Sequence, residues 1–475
     1  MLRRRTLRPR RPRRLRPARR GRHRRPARRP PARRTPPGRP GRRRRLPGRR
    51  DPAGPGPGPG MTALREVAVV GAGAAGLHAA EALRRAGYDG RLTLIGAEDE
   101  PPYDRPPLSK HLLDGQWQPD RLALRSPDAL AELRLDLRLG VPAERLDRQA
   151  RTVHLADGHR VRCQAVVLAT GVRPRRLPGA EAPLPGAHVL RTLADAVALR
   201  EELRPGTRLL VAGGGLLGAE AAATAVGLGA EVVWLVSAAA PLAAVLGAET
   251  AALLTGLHRE HGVRIHRGMA AAVVRRRGRA AGVRLADGSE LAADAVLMAI
   301  GSEPATEWLA GSGVPLDAGG GVACDAHCAA GPGVWAAGDA ASWPDPRTGR
   351  RRRLEQRTNA TEQALHAARD LLAGPDGARQ AYAPVPYLWT DQYGLRIQAF
   401  GSPGTADRFE LVDGSPADHR FAAACLHRGR VTGAVGIACA RALRQLRAQV
   451  AAHAPWQPAD PVTRQTADHA PARLS

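Results

Sequence analysis

Three sets of residues in this sequence are of types and spacings that can do chemistry. Gly71, Gly73 and Gly76 form G-x-G-x-x-G in GAGAAG directly after the apolar run VAVV, and Gly213, Gly215 and Gly218 repeat the spacing in GGGLLG after LLVA. Glycines so spaced suit a dinucleotide: the first permits a tight turn, the second lets backbone approach a pyrophosphate, and the third lets helix and strand pack closely. Two such motifs imply two nucleotides, and the chemistry that needs both is hydride transfer from a nicotinamide to a flavin. Lys110 stands out because it is the only lysine among 73 basic residues. Its blander reading is an ordinary surface ion pair, worth at most about 1 kcal/mol. The five cysteines, at 163, 324, 328, 425 and 439, include no C-x-x-C. A disulfide relay of electrons is therefore not expected, and electrons should leave directly from a flavin. Cys324, His327 and Cys328 lie close together but lack a second Cys or His pair, so they read as core or strand residues and not as a metal site.

The elements around these residues follow from pattern. Val67–Val70 reads as a strand, the glycines open a helix, and Leu92–Ile95 supplies a second strand, all within the length of one βαβ unit. The second motif has the same plan, with a helix over about 216–228 and the strand EVVWLV at 231–236. A carboxylate at the end of that second strand would hold the ribose of NAD, whereas a nearby Arg would indicate NADP. Val236 and Ser237 provide neither, so the preference stays open, with NADH ahead of NADPH because no local Arg is evident. In the first unit the matching position is Gly96, and Glu98 is the nearest carboxylate. The longest apolar run, Val232–Ala248, contains Pro241 and reads as strand plus loop, so no membrane span is expected.

The length of 475 residues suggests about three domains. Most of the formal charge of +29 belongs to residues 1–60, which hold 25 Arg and a single Asp, so the remainder is only mildly basic. That segment alternates Arg, Pro and Gly with almost nothing apolar and is expected to be disordered. It reads as sequence preceding a translation start at Met61, as a transit peptide, or as an arm binding polyanions. Only the last reading would make nucleic acid a partner. A signal peptide spanning Val67–Ala80 is explained better by the glycine motif. Scattered cysteines fit a reducing compartment, hence the cytoplasm.

PPYDRPPLSK at 101–110, ATG at 169–171, AAGDAA at 336–341 and PYLWTDQYGLRIQAFG at 386–401 resemble the FAD-dependent ferredoxin reductases that serve oxygenases. The resemblance covers residues 61 to about 440 and extends, less specifically, to rubredoxin reductases and the apoptosis-inducing factor group. It implies an α/β fold with two Rossmann-like dinucleotide-binding domains, for FAD and NAD(P)H, plus a C-terminal α+β domain. The boundaries expected are 61–171 and 301–374 for the FAD domain, 172–300 for the NAD(P)H domain and 375–475 for the C-terminal domain, a small antiparallel sheet with terminal helices, with residues 454–475 frayed. Electrons would pass from NADH through FAD to an iron-sulfur ferredoxin or rubredoxin, and so to an oxygenase such as a cytochrome P450 or a Rieske dioxygenase.

The same resemblance implies that Lys110 lies beside the isoalloxazine and pairs with Glu220, its compact charge favouring the reduced ring. Other expected FAD contacts are Arg105, Ala75 through its backbone, Ala143, Arg191, Arg357 and Asp339, with Trp389 near the ring. A helix starting near Thr358 would aim its positive end at the flavin. Two departures are apparent: Leu216 replaces an aromatic over the flavin, and Arg357 replaces a Trp. Arg350–Arg353 and Arg441–Arg447 are candidate docking faces for an acidic carrier. Other readings are a flavin oxidase or quinone reductase, or a redox-sensing, nucleic-acid-binding protein.

Overall fold

Apolar runs of four or five residues form the central strands of two parallel sheets, and their near-continuous burial reflects cover on both faces. The computed structural model describes residues 64–237, 240–374 and 377–457, and the Arg-rich segment 1–60 lies outside them. In the first sheet Glu66–Val70 lies between Arg91–Ile95 and Ala165–Leu168, with Asp136–Arg138 and Val334–Ala336 at the edges. In the second, Arg208–Ala212 lies between Glu231–Val236 and Ala295–Met298, with Arg264–Arg267 and Ala187–His188 outside.

One plan is used twice. Each parallel sheet is accompanied by a three-stranded antiparallel sheet just before its next parallel strand. In the first half it consists of Ala143–Asp147, Thr152–Leu155 and Arg160–Arg162. In the second it consists of Ala270–Arg276, Arg279–Leu285 and Glu290–Ala292. The first sheet is completed only after the second has been made. Val172–Pro174, which leaves the first half, pairs antiparallel with Ser302–Pro304, which returns to it. The returning chain adds Val334–Ala336 and then the helix Arg357–Ala373, which packs on the helix Ala74–Arg85.

The remaining strands, Tyr387–Gln392, Leu395–Gly401, Arg408–Ser415, Arg420–His427 and Arg430–Ile437, form one antiparallel sheet. The helix Ala440–Ala452 buries Leu443, Leu446 and Val450 along one stripe against it.

Three local expectations are revised. The run Val232–Ala248 contains a short helix, Ala243–Leu246, beyond its strand, and Ala248 opens the helix Ala248–Glu260. One terminal helix, not several, covers the C-terminal sheet among the described residues. Of residues 454–475, expected to be frayed, residues 454–456 are hydrogen-bonded alongside residues 429–431, through Val431 N–H to Ala454 and Trp456 N–H to Gly429, and 458–475 lie outside the described residues. No helix among the described residues is long and apolar enough to cross a membrane.

Candidate active site

The two glycine motifs fold into the same device. Gly71 and Gly213 take φ of +113° and +123°, and a Cβ on either would run into the carbonyl of Ala169 or Ala299, where the neighbouring strand ends. Gly76 and Gly218 press against the carbonyls of Gly71 and Gly213, so the helix can enter close to its strand. Gly73 and Gly215 differ. Nothing lies within 4 Å of a Cβ built on either, and both border a cleft of about 1270 Å³.

Three helices begin at this cleft: Ala74–Arg85, Leu216–Gly227 and Arg357–Ala373. None has a side-chain cap or an acidic residue in its first turn. Two helices elsewhere are capped, one by Ser126 and one by a Thr192–Asp195 capping box, whereas Ala440–Ala452 also begins without a side-chain cap. The uncapped ends present free N–H groups and partial positive charge to the cleft, the environment that phosphates and an anionic ring need. The residues therefore fit FAD and a nicotinamide nucleotide.

Lys110 and Glu220 meet on the cleft wall. The Lys110 ammonium lies 2.8 Å from Glu220 Oε1, and the two residues are 8 % and 6 % exposed. This is not the surface pair of the blander reading. Ser109 Oγ donates to Glu220 Oε2 at 2.5 Å, and Thr390 Oγ1, from the C-terminal sheet, donates to Oε1 at 2.7 Å. Removing one partner of such a pair strands a buried charge, at a cost of about 3–5 kcal/mol.

A second polar group also lines the cleft. Arg105 donates to Glu98 at 2.6 Å and to the Arg191 carbonyl at 2.6 Å. The buried Tyr103 hydroxyl accepts from Arg105 and from the Leu193 N–H, and donates to Glu98. Glu98 thus spends part of its accepting capacity on Arg105 and Tyr103. Arg191 reaches Asp339 at 3.2 Å, beside Gly171, whose missing side chain makes room for the guanidinium. Burial pushes the Asp339 carboxyl above its ordinary range, and Arg191 pulls it back.

Arg357 also borders the cleft, where it pairs with Asp104 and donates to Thr361 at 2.5 Å, so it clasps the return helix to the loop that bears Arg105 and Lys110. Ala75, Ala143, Leu216 and Trp389 line the cleft as well, with the Trp389 ring stacked on Tyr387. Sequence reasoning named neither Ser109 nor Thr390, nor Tyr103 and Asp104; all four lie inside motifs quoted above but find partners far along the chain.

One other reading changes. Of the Arg350–Arg353 run, Arg351 donates to the carbonyls of Cys324 and Ser342, Arg352 pairs with Asp345, and Arg353 bonds Glu355 and the Asp339 carbonyl. Those three serve the fold, and only Arg350 is left exposed without such a bond among them. Cys324 and Cys328 are buried, their thiols raised by burial, and no group of metal-ligating side chains occurs among the described residues.

The profile of the family described as "Pyridine nucleotide-disulphide oxidoreductase" matches residues 65–364. The chain belongs to that family. A "Reductase C-terminal" profile matches residues 387–467, extending the relationship to the third sheet of this oxidoreductase. The chlorobenzene dioxygenase ferredoxin reductase component of Cupriavidus sp. (strain PS12) is 39% identical over 394 residues, 83% of this chain and 94% of that protein. The benzene 1,2-dioxygenase system ferredoxin–NAD(+) reductase subunit of Pseudomonas putida is 39% identical over 73% of this chain and 87% of its own length. Among solved structures, the oxidoreductase superposes on the covalent putidaredoxin reductase–putidaredoxin complex with a TM-score of 0.76 and 32% identity, covering 82% of this chain and 94% of that one.

Proposed function

We propose that the protein is an FAD-dependent NADH:ferredoxin reductase. The observation that carries this reading is that both glycine cradles, three open helix N-termini and the buried Lys110–Glu220 pair border one cleft. One NADH and two oxidised two-iron, two-sulfur ferredoxins become NAD(+), one proton and two reduced ferredoxins. FAD, when bound, supplies the conversion from a two-electron hydride donor to a one-electron acceptor. Rubredoxin is the alternative carrier, and an oxygenase, a cytochrome P450 or a Rieske dioxygenase, is the consumer.

The residues of the chain do the rest. The Gly71–Gly76 turn holds the FAD pyrophosphate with backbone N–H groups, and Gly213–Gly218 does so for the nicotinamide nucleotide. Glu98 would take a ribose of FAD with its remaining acceptor capacity; Arg105, Arg191 and Asp339 order that wall of the cleft. Lys110 stabilises negative charge as electrons arrive, with Glu220 fixing its position. Residues 172–300 form the nucleotide domain inserted between FAD segments 61–171 and 301–374, and the pairing of Val172–Pro174 with Ser302–Pro304 supports those limits. The C-terminal domain occupies 375–475. We place the protein in the cytoplasm, in keeping with five buried, unpaired thiols.

Anaerobic stopped-flow mixing tests this. Bleaching of the bound flavin by NADH, faster than by NADPH, followed by reoxidation on ferredoxin is the expected course. Bleaching that persists with ferredoxin and disappears with air or quinone would replace it with an oxidase. In Lys110→Arg, which keeps the charge but not the compact ammonium, bleaching slows about tenfold or more.

A further inference from the structure

Glu220 is the end of a longer chain of bonds that leads away from the cleft. Thr390 Oγ1, which donates to Glu220, accepts from Gln392 Nε2 at 2.9 Å. The oxygen of the same amide lies 2.9 Å from His258 Nε2, and His258 Nδ1 lies 2.7 Å from the Tyr393 hydroxyl. Only one direction of donation satisfies this geometry. An amide oxygen solely accepts, so Nε2 of His258 carries the proton; Nδ1 of the neutral ring then accepts, and Tyr393 O–H donates. Every hydrogen in the series points toward the Glu220 carboxylate.

Burial depresses the His258 pKa to about 4, which keeps the ring in the neutral form this direction requires. His258 and Thr390 are fully buried, and Gln392 is 2 % exposed. Thr390 and Gln392 share one face of the strand Tyr387–Gln392 by the two-residue period, while His258 comes from the helix Ala248–Glu260 of the second nucleotide-binding half. Tyr393 closes the series in the two-residue turn before Leu395, at a φ of +52° that disfavours a bulky side chain. The ring is held there by His258 and by stacking on His261 at 4.0 Å. A junction needing only adhesion would be made from apolar side chains, without the desolvation that three buried polar groups cost.

We propose that Thr390, Gln392 and His258 form a polarised hydrogen-bond chain that shares the charge on Glu220 and thereby sets how much of the Lys110 charge acts on the flavin. The inference rests on the reading above, in which FAD occupies the cleft beside Lys110. Aligned hydrogen bonds strengthen one another in a low-dielectric interior. Without the Thr390 donor, Glu220 has only Ser109 and Lys110; the ammonium is drawn to the carboxylate and stabilises reduced flavin less. Thr390, Gln392 and His258 are positioning residues, since they act through Glu220.

The test is the two-electron midpoint potential of the flavin in the full-length holoprotein, titrated with dithionite against an indicator dye. Thr390→Val and Gln392→Leu shift it to more negative values; Thr390→Ser, which keeps the hydroxyl, restores the wild-type value. At saturating NADH the bleaching rate constant of the first two falls about tenfold, with NADH affinity unchanged. Tyr393→Phe removes only the outermost hydroxyl and gives a smaller shift of the same sign, which keeps the test decisive should a buried variant not fold. Wild-type potentials in the folded, flavin-loaded variants would overturn the chain. Failure of NADH to bleach the wild-type flavin would instead remove the reductase reading, and the dithionite titration, which uses no nicotinamide, separates the two results.

Discussion

Gly71 and Gly73 stand two residues apart in one motif and do opposite work. Gly71 has a φ of +113° and no room for a Cβ, so Gly71→Ala strains the backbone and displaces the Ala169 strand end. It should cost about 3 kcal/mol or more of folding stability. Gly73 has an extended backbone, φ −84° and ψ −164°, and open space where a Cβ would go. Gly73→Ala should change stability by no more than about 1 kcal/mol and yet weaken FAD retention, because its methyl projects into the space a pyrophosphate needs. Urea unfolding together with flavin content after gel filtration separates the two outcomes. If both glycines were only structural, both losses would appear as stability. Ser237, at the end of Glu231–Val236 and on the cleft, belongs to the same scale. A carboxylate there would accept from the ribose hydroxyls and repel a 2′-phosphate. Ser237→Glu should therefore lower the apparent KM for NADH and raise that for NADPH in steady-state assays.

The helices that the sequence places after each glycine motif are found where expected, because glycine turns and apolar strands are local signals that need no distant partner. Lys110 was conspicuous for a similar reason, being the only lysine. What sequence did not show are the bonds joining elements: Ser109 and Thr390 reach Glu220 across 111 and 170 residues, and nothing in their own surroundings announces it. The Arg351–Arg353 run misleads in the same way, since its charge is spent on Asp345, Glu355 and carbonyls that only folding brings near. His258 extends the point to pH. Its helix packs it against Trp234, Tyr393 and Gln392, and burial, more than the neighbouring His261, lowers its pKa to about 4. Below pH 6.5 the unfolded ring takes up a proton that the native ring refuses. Stability from this group is intact above pH 6.5 and declines as pH falls toward 4, by up to about 3 kcal/mol. Urea unfolding of wild type and His258→Gln at several pH values should show the acid-side slope reduced in the variant; equal slopes would assign the loss to other groups.

A reductase must also meet its carrier, and the arginines of the C-terminal helix offer one face for it. The helix Ala440–Ala452 exposes Arg441, Arg444 and Arg447 along one side while its other side is buried in the C-terminal sheet. Arg447 acts on Glu362, in the helix Arg357–Ala373 whose first turn borders the cleft, so the stripe stands next to an element that touches the redox site. An acidic ferredoxin approaching that stripe would be steered toward the cleft by long-range attraction, which screening by salt weakens. Arg444→Glu should raise the apparent KM for ferredoxin about fivefold at low ionic strength, with the difference shrinking as salt is added, while bleaching by NADH is unchanged because that step involves no carrier. Arg352→Glu gives the contrast. It breaks a pair with the buried Asp345, and its effect should appear in thermal unfolding with no salt-dependent change in the ferredoxin KM. If Arg444→Glu left that KM unaltered at every salt concentration, the carrier would have to reach the cleft by a face other than this helix.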